Sequence, residues 1–122
     1  MKIAIVILNW NGQKLLEQFL PSVVDFSSKE ATIYIADNAS TDSSIKYVRS
    51  SFPSIKIVEN KINGGYAKGY NDALKSIDAD IYCLLNSDVE VTQNWLKPII
   101  DIFKNEKNTA IIQPKLLDFK NK

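Results

Sequence analysis

Short apolar runs alternate with amphipathic segments along this chain. Five runs rich in β-branched residues recur roughly every 25 residues, as in repeated strand–helix units. They are Ile3–Leu8, Thr32–Ala36, Ile55–Val58, Ile81–Leu85 and Ala110–Gln113. Most of them are continuously apolar, which is typical of strands buried on both faces of a parallel sheet.

The segments between these runs place apolar residues at helical spacing. The stripes are Leu15, Leu16, Phe19 and Leu20; Ile45 and Val48; Tyr70, Ala73, Leu74 and Ile77; and Leu96, Ile99, Ile100 and Phe103. The alternation predicts a three-layer α/β/α fold around an open, mainly parallel sheet of about five strands. Pro21 is expected to divide the first helix in two. Pro98 is expected to begin the last helix, or to kink one that starts at Thr92 or Asn94.

Composition limits the chemistry that the chain can carry. Its 122 residues predict a single domain, 1–122, and its net charge of +1 argues against nucleic acid as a partner. The absence of histidine excludes imidazole catalysis and histidine-bound metal. The one cysteine, Cys83, lies in an apolar run and is interpreted as a buried hydrophobe. No stretch approaches the ~20 apolar residues of a membrane span, so we expect a cytoplasmic protein.

Ligand-capable side chains follow the first two predicted strands, and in open α/β sheets ligands bind at the carboxyl ends of strands. Trp10 offers a flat face for a stacked base, although on that residue alone a tryptophan covering the core is favoured. Asp37 ends an apolar strand, where its carboxylate could accept a hydrogen bond from a base ring or a ribose. Since it lies at the ligand edge, we expect it to matter little for folding. Ser40, Thr41 or Asp42 is expected to cap the next helix.

The loops after the third and fourth strands point to phosphate and metal. A helix is expected to begin at about Gly65, directly after Gly64. The first N–H groups of that helix could face an anion. A glycine-rich turn with tight helix packing at Gly69 is an equal alternative. Asp88, with Asn86, could hold a divalent cation, although a capped strand exit is the simpler interpretation of a lone carboxylate. Together, the four loops imply a ligand with a base, a sugar and a metal-bound phosphate.

Four motifs carry a family resemblance through their order and spacing: VILNWNG, IADNASTDSS, NGGYAKGYNDA and LLNSDV. From Lys2 to about Leu117, the chain resembles the N-terminal half of family 2 glycosyltransferases of the GT-A fold, nearest to their rhamnosyltransferase-like branch. The resemblance implies an inverting enzyme of polysaccharide or cell-envelope biosynthesis. It would move a sugar from a UDP- or dTDP-sugar donor to a glycan or lipid-linked acceptor, at the inner face of the membrane.

The resemblance also implies roles for individual residues. Trp10 would border or stack on the base, and Asp37 would bond the base ring. The segment from Asn63 to Asn71 would line the diphosphate and sugar. Asp88 would bind Mg2+ or Mn2+, which stabilises the leaving diphosphate. Asn9 and Asn38 would lie near the base or ribose. The residues that the resemblance implies for nucleotide-sugar binding are, in full, Asn9, Trp10, Asp37, Asn38, Asn63, Gly64, Gly65, Asn71 and Asn86.

Two departures limit what the resemblance implies. The family's metal motif is usually Asp-x-Asp, and Asn86 replaces its first carboxylate, so we expect low metal affinity without nucleotide. The family's carboxylate base lies in the second half of its domain, and none of Asp101, Glu106 or Asp118 matches the motif of that base. We therefore expect a fragment of a longer enzyme, with no catalytic residue of its own. Alone, we expect it to transfer no sugar, and either to be modestly stable or to self-associate through surface that the missing half covers.

Two other classes stay open at this point. A receiver-like signalling module has similar length and alternation, and Lys115 would fit it. It needs paired acidic residues after the first strand, where this chain reads NWN, and a phosphoacceptor aspartate after the third, where it reads EN. A Rossmann-type redox domain needs a glycine fingerprint that is absent from the first turn. Binding of a nucleoside diphosphate with Mg2+ or Mn2+, against phosphorylation by an acyl phosphate, separates the first two classes.

Overall fold

Four parallel strands form the sheet in the computed structural model, which describes residues 1–117. The strands, in the order β3-β2-β1-β4 across the sheet, alternate with four helices along the chain. The elements are β1 (Ile3–Asn9), α1 (Gln13–Ser27), β2 (Thr32–Asp37), α2 (Ser44–Ser51), β3 (Lys56–Glu59), α3 (Tyr66–Leu74), β4 (Ile81–Leu85) and α4 (Leu96–Asn105). Because every pairing is parallel, the carboxyl ends of all four strands meet at one edge.

Alternate residues of β1 enter two separate cores, which confirms the predicted α/β/α layering. Ile5 and Ile7 belong to a core built with α1, α2 and α4 on one face of the sheet. Ala4 and Val6 pack on the other face against α3. A strand buried on both faces reads as a continuous apolar run, which explains the sequence pattern of β1.

The sheet of residues 1–117 has four strands, so the prediction of a fifth strand at Ala110–Gln113 is wrong. That segment has irregular backbone, and Ile111 is 87% exposed. A short apolar run becomes a strand only when it lies along a sheet edge and hydrogen-bonds to it, and within residues 1–117 this segment pairs with neither edge strand. Pro114 follows directly, and proline cannot donate to a strand ladder.

The two helix prolines behave differently. The expected break at Pro21 is wrong, because α1 continues through it from Gln13 to Ser27. Leu20 and Val23 are buried on either side, and their packing holds the helix together although one backbone hydrogen bond is lost. Pro98 lies in the first turn of α4, as one of its two predicted placements required. Among residues 1–117, no helix is both long enough and apolar enough to cross a membrane.

The strand order contradicts the receiver-like alternative. In that fold, the order 2-1-3-4-5 places the third strand between the first and the fourth. Here β3 pairs with β2, and β1 pairs with β4. This is the other doubly wound order, in which the chain reverses direction between β1 and β4 and ligands bind in the crevice above that point.

β4 borders the sheet within the described residues and leaves an apolar surface open. Tyr82 and Leu84 are 41% and 50% exposed, on the face that α3 covers at β1. Ile81 and Leu85 are buried on the opposite face. An open apolar surface of this kind favours association. Self-association stays a prediction, and the surface we expect it to use is the face of β4 with Tyr82 and Leu84.

Candidate functional site

The sheet register brings the predicted site residues to one edge. Asn9 at the end of β1 is paired with Asp37 at the end of β2, and Asp37 with Glu59 at the end of β3. Asp37 and Ser40 also form part of an open groove of about 550 Å³, lined further by Asp42, Ile45, Lys46, Arg49, Ser50 and Glu59. That volume lies within the range of ligand pockets.

Asp37 is the centre of a buried polar network. Asp37 is only 3% exposed, and its carboxylate accepts three hydrogen bonds. Asn9 Nδ2 donates to Oδ1 at 2.9 Å, and the Ser40 hydroxyl donates to the same oxygen at 2.6 Å. The Ser40 backbone N–H donates to Oδ2 at 3.0 Å. The expectation that Asp37 lies outside the core is therefore wrong, because the sheet end is covered by the loop that follows.

Asn38 connects β2 to the loop between β3 and α3, residues 60–65, which we call the glycine loop. It is 2% exposed, and its Nδ2 donates to Asn63 Oδ1 at 3.2 Å and to the Gly65 carbonyl at 3.1 Å. Asn60 Nδ2 donates to Asn38 Oδ1 at 2.8 Å. Asn9, 1% exposed, is similarly engaged with Asp37 and its neighbours. Both asparagine side chains are thus held by other groups of the protein, and direct contact with a base or ribose stays a prediction.

Two glycines around the start of α3 are required by the structure, Gly65 directly before the helix and Gly69 within it. Gly65 precedes α3 with φ +94° and ψ −177°, a conformation nearly reserved for glycine. At Gly69, a Cβ would lie 2.7–2.8 Å from Asn38 and Leu8, so the tight-packing interpretation is correct there. Helix α3 begins at Tyr66, as predicted to within one residue. Its first N–H groups lie beside the exposed Asn63, Gly64 and Gly65, where they lack helical acceptors.

Trp10 does not cover the core. Its side chain is 57% exposed in the loop after β1, so the interpretation favoured for this residue alone is wrong. Asn11, beside it, has φ +49° and accepts hydrogen bonds from the backbone N–H of Thr41 at 2.7 Å and of Asp42 at 3.2 Å. These bonds join the loops after β1 and β2 and leave an aromatic face at the sheet edge.

Asp42, one of the three residues expected to cap α2, accepts hydrogen bonds from the first N–H groups of α1 and α2, although the N-cap positions themselves are Gly12 and Ser43. Its Oδ1 accepts from the backbone N–H of Ser44 at 3.0 Å, and its Oδ2 accepts from that of Gln13 at 3.3 Å. Burial alone would raise the pKa of Asp42, but the hydrogen bonds from Ser44 and Gln13 outweigh it and lower that pKa. Negative charge here also suits the amino-terminal ends of α1 and α2.

Asn86 and Asp88 lie exposed beyond β4, with Ser87 between them. Asp88 is the only carboxylate of this triplet, and residues 1–117 contain no group of three Asp, Glu, Cys or His side chains placed to hold a metal. The side-chain oxygens of Asn86 and Asp88 are ligands that suit a hard cation such as Mg2+ or Mn2+. They are too few to bind the cation strongly alone. The site therefore fits a cation whose coordination shell is completed by phosphate oxygens.

Sequence reasoning missed several residues that shape this edge. Ser44 receives a hydrogen bond from Asn9, Ser40 receives one too although it was expected only as a helix cap, and Asn11 joins two loops. Tyr66 donates its hydroxyl hydrogen to Asn86 Oδ1 at 2.8 Å and so links two loops that are distant in sequence. The crowding of Ser, Asn and Asp after the strands was the available signal, but it does not reveal partners.

Other predicted positions lie apart from this network. Asn71 is exposed on α3. Asp101 and Glu106 are exposed on α4 and at its end, and Lys115 is in the exposed segment beyond it. Asp118 lies outside the described residues. The Glu106 carboxylate accepts a hydrogen bond from the Thr109 hydroxyl at 3.4 Å, beyond α4 and away from the strand ends.

Known proteins resemble this chain over nearly its whole length. A family model described as glycosyl transferase family 2 matches residues 4–120. The dTDP-rhamnosyl transferase RfbG of Shigella flexneri is 27% identical over 106 residues, which cover 79% of this chain and 37% of that protein. The chain spans between 15% and 37% of the length of the curated relatives it matches.

Solved structures share the fold. TarS 1-349 of S. aureus, in complex with UDP-GlcNAc, has a TM-score of 0.75 at 22% identity, covering 93% of this chain and 37% of that one. The mannosyltransferase PcManGT of Pyrobaculum calidifontis, in complex with GDP-Man and Mn2+, has a TM-score of 0.65 at 22% identity, covering 73% and 28%. These likenesses show the GT-A fold. Since the family model spans almost all of the chain, the protein belongs to glycosyltransferase family 2.

Proposed function

We propose that residues 1–122 form the nucleotide-sugar-binding domain of an inverting glycosyltransferase, as a fragment of a longer enzyme. The donor is a UDP- or dTDP-sugar, and binding uses Mg2+ or Mn2+. One observation carries the proposal: an exposed aromatic face, a hydrogen-bonded carboxylate, a glycine loop and a single metal-capable carboxylate all lie at the carboxyl edge of one sheet. The donors named in the solved TarS and PcManGT complexes support it.

At the base end, we assign recognition to Trp10 and Asp37. The exposed indole provides the stacking surface. Asp37 Oδ2 accepts one hydrogen bond within the protein, and a carboxylate oxygen has capacity for a second, from a ring N–H of uracil or thymine. Asn9 fixes the orientation of the carboxylate, and Asn38 fixes the loop that carries Asn63.

At the diphosphate end, we assign binding to the glycine loop and to the segment beyond β4. The residues are Asn63, Gly64, Gly65, Asn86 and Asp88, and we add Asn71, which lies exposed on α3 outside the hydrogen-bonded network. Backbone N–H groups at the start of α3 suit an anion that glycine allows to approach closely. A cation held by Asp88 and the donor's own phosphate oxygens would stabilise negative charge on the leaving diphosphate.

Sugar transfer needs groups that we assign to none of residues 1–117. An inverting reaction needs a base that deprotonates the acceptor and a surface that positions it, and their loss together lowers rates by far more than ~10²-fold. We propose that the rest of the enzyme supplies both, for a glycan or lipid-linked acceptor of polysaccharide or cell-envelope biosynthesis. Its action at the inner, cytoplasmic face of the membrane stays a prediction.

Isothermal calorimetry of the parent chain tests the proposal. UDP, dTDP and GDP are titrated with and without Mn2+. We expect UDP or dTDP to bind, with affinity that rises when Mn2+ is added. No binding of any nucleoside diphosphate in either condition would refute the proposed function. Incubation with radiolabelled donor and a panel of acceptors should yield no transfer product, and abundant product would show that a base has been missed.

A further inference from the structure

Tyr66 connects the two loops at which the diphosphate end of the site lies. It is the first residue of α3, and its hydroxyl donates to Asn86 Oδ1 at 2.8 Å, beyond the end of β4. The two residues are 20 positions apart in the sequence. This hydrogen bond joins the glycine loop and the Asn86–Asp88 segment at the side chains themselves.

The tyrosine ring is held in place by a second tyrosine. The rings of Tyr66 and Tyr70 pack edge to face, with centroids 5.0 Å apart. The Tyr70 hydroxyl donates a hydrogen bond to the Leu85 carbonyl at 3.1 Å. It also accepts one from the Leu8 backbone N–H at 3.4 Å. Tyr70 is buried and thus anchors α3 to the ends of β1 and β4, whereas Tyr66 is 61% exposed. A buried ring therefore orients an exposed hydroxyl.

The hydrogen bond orients the Asn86 amide. An amide has one oxygen, with two lone pairs, and one NH2 group, and the Tyr66 hydroxyl takes one lone pair of the oxygen. The Asn86 Nδ2 makes no hydrogen bond to another residue within 1–117, so its two N–H groups stay free for an acceptor. A cation would have to share this oxygen with the tyrosine hydroxyl, whereas phosphate and sugar oxygens can accept from the N–H groups without competition.

We propose that Tyr66 is a positioning residue that holds the Asn86 amide so that it donates to an oxygen of the bound donor beyond its nucleoside, and leaves the cation to Asp88. The inference rests on the proposed function, which supplies the diphosphate-sugar. It goes further in assigning a role to a tyrosine and a polarity to Asn86. The accepting oxygen belongs either to the diphosphate or to the sugar, and ligands of increasing size separate the two.

The test compares Tyr66→Phe with Tyr82→Phe as the matched control. Tyr82 is also an exposed tyrosine whose hydroxyl makes one hydrogen bond, to the Ile77 carbonyl at 2.7 Å, away from this edge. Calorimetry with Mn2+ measures UMP, UDP and UDP-GlcNAc, or the dTMP series if the parent prefers it. The same titrations are repeated for Asn86→Ala and for the double variant Tyr66→Phe/Asn86→Ala.

We expect Tyr66→Phe to weaken binding about three- to tenfold, the effect of one hydrogen bond, while UMP affinity and all Tyr82→Phe affinities stay at parent values. A loss that begins with UDP assigns the diphosphate, and a loss that begins with UDP-GlcNAc assigns the sugar. In the Asn86→Ala background, Tyr66→Phe should add no further loss.

Two results would overturn the inference while the proposed function stands. One is parent-like affinity of Tyr66→Phe for UDP and UDP-GlcNAc. The other is an equal loss for UMP, or an equal loss in the Asn86→Ala background, either of which would make Tyr66 a general support of the fold. Failure of the parent chain to bind any nucleotide would instead refute the proposed function, and this inference with it.

Discussion

Replacing Asp37 by alanine should unfold the chain at a clearly lower temperature. The change removes the acceptor of three hydrogen bonds from Asn9 and Ser40, in a residue that is 3% exposed. Asn9 Nδ2 keeps its bond to the Ser44 hydroxyl at 2.9 Å, so part of the network survives. Hydrogen bonds to charged groups contribute about 1.5–3 kcal/mol each, and removal of the buried charge offsets part of the loss. We expect a net cost of about 3 kcal/mol.

That cost can be converted into a melting temperature. With ~2.1 cal/mol/K of unfolding entropy per residue, 3 kcal/mol lowers the midpoint by about 12 °C for a chain of this length. Thermal unfolding followed by circular dichroism measures it. Asp78→Ala is the matched control, because the Asp78 side chain is 96% exposed and its one ion pair within residues 1–117 is with Lys2 at 3.3 Å, so the change should alter stability by about 0.5 kcal/mol or less.

The result that would refute this reasoning is an Asp37→Ala midpoint equal to that of Asp78→Ala. The network around the carboxylate would then contribute nothing to folding. Nucleotide affinity of Asp37→Ala is measured well below its midpoint, where we expect a further loss of about 1–3 kcal/mol in binding. Unchanged affinity in the folded variant would remove Asp37 from base recognition without affecting its structural role.

Three other substitutions or conditions follow from the structure. Asp88→Asn should abolish the gain in nucleoside diphosphate affinity that Mn2+ gives, measured by calorimetry; an undiminished Mn2+ effect would place the cation elsewhere. Gly65→Ala should cost about 1–3 kcal/mol in denaturant unfolding, because its conformation excludes Cβ-bearing residues although no atom lies within 4 Å of the added carbon; parent stability would contradict the φ of +94°. Burial raises the pKa of Cys83 from 9.0 to about 11. The unfolded thiol ionises first, so stability should fall as pH rises from 9 to 11 in the parent but less in Cys83→Ala; identical pH profiles would contradict this.

The sheet was predictable where one physical cause sets the pattern. β1 is buried on both faces, so its residues are uniformly apolar, and Ile3–Leu8 was found to within one residue of the observed strand. The grouping of ligand-capable loops followed from parallel strands, whose carboxyl ends must share an edge. Ala110–Gln113 is similarly apolar but pairs with neither edge strand of the sheet within residues 1–117, and composition does not show whether a segment will reach a partner.

The site was predictable in its membership and less so in its contacts. Asp37 and Asn38 were singled out because they follow an apolar strand, yet their burial depends on where the loops fold back, which no local pattern encodes. Trp10 alone favoured core cover, and its exposure comes from the turn at Asn11 that joins it to the next loop. The hydrogen bond from Tyr66 to Asn86 depends on the placement of α3 over β1 and β2, with its first residue near the loop after β4, which is a tertiary arrangement.

The two tryptophans provide the most direct measurement of where a donor binds. Trp10 is exposed after β1 at the carboxyl edge of the sheet, whereas the Trp95 indole N–H donates to the Ser27 hydroxyl at 2.8 Å, at the carboxyl end of α1. Their indole N–H signals are distinct reporters in a ¹H–¹⁵N correlation spectrum of the labelled chain. On titration with UDP or dTDP in the presence of Mg2+, we predict a saturable shift of the Trp10 signal and no shift of the Trp95 signal. A static Trp10 signal at saturating nucleotide, or a shift confined to Trp95, would contradict a nucleotide-sugar site at the carboxyl ends of these strands.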